Sequence, residues 1–134
     1  MEPNEVGTPL RDALDAVTSR IIGAAISIHE KYGPVMLEKA YDDCMRIEFD
    51  FLRIPFESQV IQSIDHRGVK IPKSYVIDFI VENSVVLELK AVDKIVPVHD
   101  AQLLTYMRLS GCRGGLLINF RAMPLTAGIR RFNL

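Results

Sequence analysis

The sequence lacks the features that mark membrane-spanning and secreted proteins. Its longest apolar runs fall far short of the roughly 18–20 residues that a helix needs to cross a bilayer, so no membrane association is expected. The N-terminal residues show no basic segment followed by an apolar one, as a signal peptide would. Cys44 and Cys112 are isolated and match neither a disulfide framework nor the spacing of metal ligands. These absences predict a cytoplasmic protein with reduced thiols.

The chain has 134 residues, of which 49% are hydrophobic and 25% charged, which predicts one ordinary globular domain. Residues 1–10 are polar and contain two prolines and a glycine, so they predict a flexible N-terminal arm, with the domain over residues 11–134.

Charge is unevenly distributed along the chain. Residues 1–65 hold 6 Lys/Arg and 12 Asp/Glu, whereas residues 66–134 hold 10 and 5. This asymmetry permits a basic surface for a polyanion, and scattered solvated arginines are the alternative.

Hydrophobic periodicity changes from helical to alternating and back along the chain. It predicts helices over residues 11–32, 36–52 and 97–109, and strands over residues 56–64, 75–81, 85–92 and 114–120. Asp65–Gly68 reads as a turn, and residues 69–71 as a short strand before Pro72. The tail from Leu125 is too short to assign, although Ile129 and Phe132 are expected to pack on the core. This order indicates a mixed sheet with helices, whose last strand lies parallel to an earlier one because a helix precedes it.

Three charged residues interrupt the two apolar strands of the predicted hairpin, namely Asp78, Glu88 and Lys90. Burying charge beside a core is costly unless the charges are paired or hold a metal ion. If Glu82–Ser84 form a three-residue loop, Val81 pairs with Val85 and Asp78 lies opposite Glu88. A two-residue loop would place the two carboxylates on opposite faces.

Two opposed carboxylates repel each other unless a cation lies between them, so this register predicts a divalent-metal site and hydrolytic chemistry. Lys90 would lie close enough to act on a bound water molecule or a phosphate. The same face is expected to carry Val76, Ile80 and Val86. The alternative is a structural ion pair of one carboxylate with Lys90 on a solvated sheet face, because antiparallel sheets often have one such face.

The hairpin matches the D…(D/E)-x-K signature of the PD-(D/E)XK nuclease superfamily. Further stretches resemble the GxxExxY family within it, with Glu38 and Tyr41 in place and Val35 where the motif has glycine. The stretches that carry this resemblance are Ile21–His29, Tyr32–Pro34, Leu37–Tyr41, Val98–Tyr106 and Gly115–Phe120.

The resemblance implies a restriction-endonuclease-like α/β core of order αβββαβ, and Mg²⁺- or Mn²⁺-dependent cleavage of phosphodiesters. It assigns metal binding to Asp78, Glu88, Glu38 and the backbone carbonyl of Leu89, and the activation of water to Lys90. Gln102 and Tyr106 match a Q-x-x-x-Y element that contacts substrate. His99 lies on roughly the same helix face and is a further candidate contact. Without the resemblance, Glu38 would be read as a surface carboxylate, and Gln102 and Tyr106 as one face of an amphipathic helix.

The leading hypothesis is therefore a metal-dependent nuclease whose expected partner is DNA. The alternatives are a catalytically weak or inactive module that binds nucleic acid or a partner on the same fold, and a subunit of a larger defence or repair assembly. A homodimer is also compatible with the sequence. Few aromatic residues are present to form the stacking surface that would indicate a single-stranded substrate.

Overall fold

The computed structural model describes residues 3–134, without the side chains of residues 3–8 and of Ser74. Two helices are followed by three strands, a third helix and two more strands, with one short 3₁₀ turn, Leu125–Gly128, before the last strand. They are α1 (Pro3–Tyr32), α2 (Glu38–Phe51), β1 (Phe56–His66), β2 (Val69–Val81), β3 (Val85–Lys90), α3 (Pro97–Ser110), β4 (Gly114–Asn119) and β5 (Ile129–Asn133). The αβββαβ order expected for the core is confirmed, with one more helix before it and one more strand after it.

The five strands form one sheet in the order β1-β2-β3-β4-β5. β3 and β4 are parallel, whereas the other neighbouring pairs are antiparallel. The parallel pair confirms the expectation for the strand after α3, because such a crossover returns the chain in the same direction. The unassigned tail contributes β5, in which Ile129 and Phe132 pack against the two cores, as expected.

Helices cover both faces of the sheet, and each face has its own core. On one face α1 and α2 pack against β2, β3 and β4 around large side chains such as Tyr41, Phe49 and Phe79. On the other face α3 packs through Leu103 and Met107. β3 and β4 lie between these layers, which explains why they read as nearly continuous apolar runs rather than alternating ones.

The structure corrects two boundaries expected from the sequence. The loose arm was placed on residues 1–10, but α1 begins at Pro3 and continues through Pro9, while residues 1 and 2 lie outside the described part. The turn before β2 is limited to Arg67 and Gly68, both with positive φ, so β1 continues to His66. A two-residue turn of this kind matches the twist of the flanking strands. β2 then continues through Pro72 because its other edge is unpaired there.

α3 lies very close to the sheet at Gly115 of β4. A Cβ atom added at Gly115 would lie 2.3 Å from Sδ of Met107, a distance that real Cβ atoms essentially never reach. A larger residue at Gly115 would therefore force the buried Met107 side chain to shift. Within the described part of the chain, no helix has the length and apolarity needed to cross a membrane.

Candidate active site

The register of the β2–β3 hairpin agrees with the three-residue turn. Val81 pairs with Val85, and Phe79 with Leu87. Glu82 and Asn83 have φ values of 51° and 56°, a left-handed conformation that closes the reversal. Continuing the same register places Asp78 opposite Glu88, as predicted.

Asp78 and Glu88 each accept a hydrogen bond from the opposite strand. The backbone N–H of Asp78 donates to Oε1 of Glu88 over 3.1 Å, and the backbone N–H of Leu89 donates to Oδ2 of Asp78 over 2.9 Å. The last backbone pair that joins the strands on this side is Phe79 with Leu87. The two carboxylates therefore take the place of backbone acceptors where the strands separate, and each is held by a fixed donor.

Glu88 is buried, with 4% of its surface exposed, and its environment disfavours the charged form. Burial first, and then the negative charge of Asp78, raise the pKa of Glu88 to about 9, although the ammonium of Lys90 opposes this. A carboxyl group with this pKa is protonated at neutral pH unless a cation balances it. Lys90 is half-buried and lies two residues after Glu88 on β3. Its positive charge favours the ionised form of Glu88.

The alternation of side chains between the two sides of the sheet is interrupted in β1 and β2 at the level of Asp78. Ile77 packs in the α3-side core, but Phe79, two residues later, packs in the opposite core. In a regular strand these two residues would share a face. Across the ladder Gln59 has a φ of 51°, a left-handed conformation that is uncommon for residues other than glycine and often stores strain at functional sites.

This interruption corrects one expectation about the hairpin. Ile80 and Val86 do pack together under α3, but Val76 does not join them and is 48% exposed. The neighbouring Tyr75 contacts Tyr106 of α3, so Val76 points to the other side of the sheet. The strict alternation assumed from the sequence fails at Asp78.

An open cleft of about 430 Å³ lies between α2 and the strands at this point. Asp78 and Gln59 line it from the sheet, and Glu38 and Asp42 from α2. Glu38 is exposed and begins α2, so its carboxylate is also near the positive end of the helix dipole. The structure thus brings Glu38 to the same cleft as Asp78, although they are forty residues apart in the chain.

Asp42 is a cleft residue that the sequence reasoning missed. It lies four residues after Glu38, on the same helix face, and forms an ion pair with Arg46. Burial raises the pKa of Asp42 against the opposing charge of Arg46, and the nearby Asp78 raises it further. The spacing from Glu38 was the available signal, but an acidic residue at i+4 is also ordinary on a solvated helix face.

Tyr41 of α2 is hydrogen-bonded to the turn that precedes the helix. Its hydroxyl donates to the carbonyl of Gly33 and accepts from the backbone N–H of Met36 over 3.1 Å. Its ring stacks on Phe120, with centroids 4.2 Å apart. Val35 is 77% exposed, and the left-handed φ values of this turn fall on Gly33 rather than on Val35. The valine at the motif's glycine position is therefore accommodated without strain.

α3 brings Gln102 and Tyr106 towards the carboxylates from the other face. Burial, then the charges of Glu88 and Asp78, raise the pKa of Tyr106, and a side-chain hydrogen bond to Gln102 opposes them. Tyr106 is only 4% exposed, so its hydroxyl faces the protein more than solvent.

His99 has a different local function at the start of α3. Its Nδ1 accepts a hydrogen bond from the backbone N–H of Val96 over 3.1 Å, and the backbone N–H of His99 donates to the carbonyl of Val96 over 2.9 Å. These reciprocal bonds cap the helix. His99 is half-buried, and the structure does not bring it into the cleft that Asp78 and Glu38 line.

Two residues that the sequence did not single out fix the chain beyond Lys90. Buried Asn119 donates to the carbonyl of Val92 over 2.8 Å and accepts from its N–H over 3.1 Å. Arg121 donates to the carbonyls of Pro34 and Ala91, both over 3.1 Å. Arg121 thereby ties the segment after Lys90 to the loop that leads to Glu38.

The donor chemistry of this site suits a hard divalent cation, since such ions prefer carboxylate and carbonyl oxygens. Asp78 and Glu88 are adjacent, and a cation would relieve the repulsion that, together with the larger effect of burial, raises the pKa of Glu88. However, no group of three or more His, Cys, Asp or Glu residues close enough to hold a metal occurs among residues 3–134. Glu38 borders the cleft without completing such a group.

Comparison with known proteins identifies a family for the chain as a whole. No curated protein and no solved structure matches the sequence significantly. A family model described as the PD-(D/E)XK nuclease superfamily matches residues 15–132, which cover most of the chain. Asp78, Glu88 and Lys90 follow one another in the order of the D…(D/E)-x-K pattern. The chain therefore belongs to the PD-(D/E)XK nuclease superfamily.

Proposed function

We propose that this protein is a divalent-metal-dependent nuclease that hydrolyses phosphodiester bonds in DNA, and that it belongs to the GxxExxY family of its superfamily. The observation that carries the proposal is the pair of carboxylates held between β2 and β3. Asp78 of this pair lines an open cleft together with Glu38. The free Cys44 and Cys112 support a reducing compartment such as the cytoplasm. We assign the activity to a single domain over residues 11–134.

Asp78 and Glu88 are the proposed main ligands of Mg²⁺ or Mn²⁺. One oxygen of each accepts a backbone N–H, which fixes the carboxylate. The two carboxyl groups also share a side-chain hydrogen bond, which a bound cation would replace. Glu38 is a further ligand, direct or through water, and the carbonyl of Leu89 is another. When bound, the cation would lower the pKa of a water molecule and stabilise charge that develops on the phosphate.

Lys90 is the residue proposed to orient the attacking water and to help remove its proton. It lies on the same strand as Glu88, and the segment after it is held by Asn119 and Arg121, so its backbone is well fixed. Gln102 is a proposed substrate contact, with Tyr106 holding its side chain beside the carboxylates. His99 stays a candidate substrate contact only through Nε2, because Nδ1 already caps α3.

Cleavage of a labelled DNA duplex by the purified protein tests this proposal. We expect cleavage with Mg²⁺ or Mn²⁺, and a loss of at least about 10³-fold in rate for Asp78→Asn and for Lys90→Gln, since each removes a group that acts on the reacting atoms. Glu57→Gln, which neutralises an exposed carboxylate on β1, is the matched control and keeps wild-type activity. Undiminished cleavage by both variants would refute the mechanism.

A second candidate function is a binding module that uses the same cleft without catalysis. It is favoured by the lack of a three-carboxylate cluster within the described residues. Salt-sensitive binding of DNA, with no cleavage under either cation, would support it over the nuclease. Sedimentation of the purified protein would determine whether either activity belongs to a monomer or a homodimer.

A further inference from the structure

The β1–β2 ribbon extends well beyond the rest of the sheet. β3 pairs with β2 only between Phe79 and Val81, whereas β1 and β2 remain paired as far as His66 and Val69. The nine residues Val69–Ile77 of β2 and the seven residues Val60–His66 of β1 therefore form a two-stranded projection. Its length is on the order of 20 Å, at about 3.3 Å for each residue of β1. A projection of this length beside an active site needs a physical explanation.

Among the residues that the structure describes, helix α3 covers one face of the ribbon and none was found packed on the other. On the covered face Gln62 donates to the carbonyl of Leu109 over 3.2 Å, and the ring of Tyr75 contacts Tyr106, with centroids 5.6 Å apart. On the other face Ile61 and Val76 are partners across the ladder and are 60% and 48% exposed. This bare face is on the α2 side of the sheet.

The bare face continues directly into the cleft. Gln59 and Asp78 line the cleft, and they lie two residues from Ile61 and Val76 in their strands. Any extended molecule that enters the cleft along the sheet therefore passes over this face.

The outer part of the ribbon carries exposed cations. Arg67, Lys70 and Lys73 are exposed, and none of the ion pairs found among residues 3–134 involves them. Asp65, the ladder partner of Lys70, is the one acidic residue between positions 60 and 76. The ribbon therefore presents an excess of positive charge.

One of these cations, Lys73, lies in a β-bulge where the regular pairing of β1 with β2 is interrupted. Gln62 pairs with Tyr75 and Ile64 with Ile71, so residues 72–74 of β2 stand against Ser63 alone. Lys73 lies at the centre of this bulge with a φ of 54°. A bulge redirects a side chain, and the left-handed conformation is unfavourable for a lysine, so we expect the arrangement to serve binding.

We propose that the β1–β2 ribbon is a docking arm for duplex DNA, which aligns the duplex so that its backbone enters the cleft. This inference rests on the proposed nuclease function and adds to it the form of the substrate. Cations with free donors bind phosphates without reading sequence. A two-stranded ribbon is also one of the elements that the major groove of DNA accommodates.

The test is duplex binding measured without cleavage. A fluorescent 20-base-pair duplex is titrated in EDTA with the full chain and with the Arg67→Gln, Lys70→Gln, Lys73→Gln triple variant. If all three residues contact phosphates, affinity falls at least about tenfold at 0.1 M salt. The slope of log K against log salt becomes shallower by up to about 2.7. All three side chains are exposed, so the variant should fold, which circular dichroism checks.

A matched triple variant removes the same charge elsewhere. Arg11, Lys31 and Arg53 are exposed and lie outside the ribbon, so their replacement by Gln should leave binding near wild type. Equal loss in both triple variants would mean that only net charge matters and would overturn the docking arm. Wild-type protein that fails to bind the duplex, or that loses affinity equally for a single-stranded 20-mer, would also overturn it.

The bare face is tested by Ile61→Glu with Val76→Glu, which places negative charge on it. We expect weaker duplex binding by at least about tenfold with an unchanged sedimentation coefficient. If this variant instead turns a dimer into a monomer and binds DNA normally, the face is a self-association surface and the proposal fails. Binding differences without any metal-dependent cleavage would leave the arm intact and refute only the nuclease function.

Discussion

The raised pKa of Glu88 makes the stability of the metal-free protein depend on pH in a specific direction. Its pKa is about 9 in the folded protein against 4.5 for an unperturbed glutamate. Between these two values the folded state holds a proton that the unfolded state has lost, so the free energy of unfolding falls as pH rises. The contribution of Glu88 is complete below about pH 4.5 and is lost progressively up to about pH 9.

Each pH unit within this window changes the free energy of unfolding by about 1.4 kcal/mol. From pH 6.0 to 7.5 Glu88 alone should therefore lower it by about 2 kcal/mol. For a domain of this size that corresponds to roughly 6–8 °C in melting temperature. Glu88→Gln keeps the shape of the side chain and has no proton to lose, so the variant should melt at a higher temperature than wild type at pH 7.5.

Thermal unfolding in EDTA, followed by circular dichroism at half-unit steps from pH 5 to 8.5, measures this effect. The difference between wild type and Glu88→Gln isolates the one group, because both proteins share every other titrating residue. The gap in melting temperature should widen steadily with pH. If the melting temperatures of the two proteins change in parallel with pH, the pKa of Glu88 is not raised and the reasoning is refuted.

Divalent metal should reverse this behaviour, and three substitutions near the site test other contacts. Adding Mg²⁺ at 100 times its dissociation constant should stabilise wild type by about 2.7 kcal/mol at pH 8, but not Glu88→Gln, which calorimetry measures. Asp42→Asn should raise the Mg²⁺ concentration for half-maximal cleavage several-fold, because it removes negative charge beside Asp78. Tyr41→Phe should lower the free energy of unfolding by about 1–3 kcal/mol in urea titrations, since it leaves two backbone groups without their partner. Gly115→Ala should destabilise the protein by a similar amount, as it overpacks a core.

Much of the hairpin was predictable because its determinants are local. A turn of three polar residues between two apolar runs fixes the register, and the register alone places Asp78 opposite Glu88. The end of α1 at Tyr32 was equally clear, because Gly33 adopts a left-handed φ of 77° and Pro34 follows.

The interruption of side-chain alternation was not predictable from periodicity. It coincides with a left-handed Gln59 on the neighbouring strand, and no residue preference indicates that conformation for glutamine. Asp42 and Arg121 were missed for a related reason. Their importance lies in contacts with residues that are distant in sequence, namely Asp78 for Asp42 and Pro34 and Ala91 for Arg121. A charged residue with distant partners looks, in sequence, like any solvated one.

The close approach of Met107 to Gly115 sets the separation between α3 and the sheet. Gln102 and Tyr106 lie within two turns of Met107 on the same helix, so this contact helps to set their height above the carboxylates. Gly115 therefore affects the proposed site although it does not line the cleft. Sequence changes at Gly115 would alter the alignment of α3 with Asp78 and Glu88 even if every side chain of the cleft were unchanged.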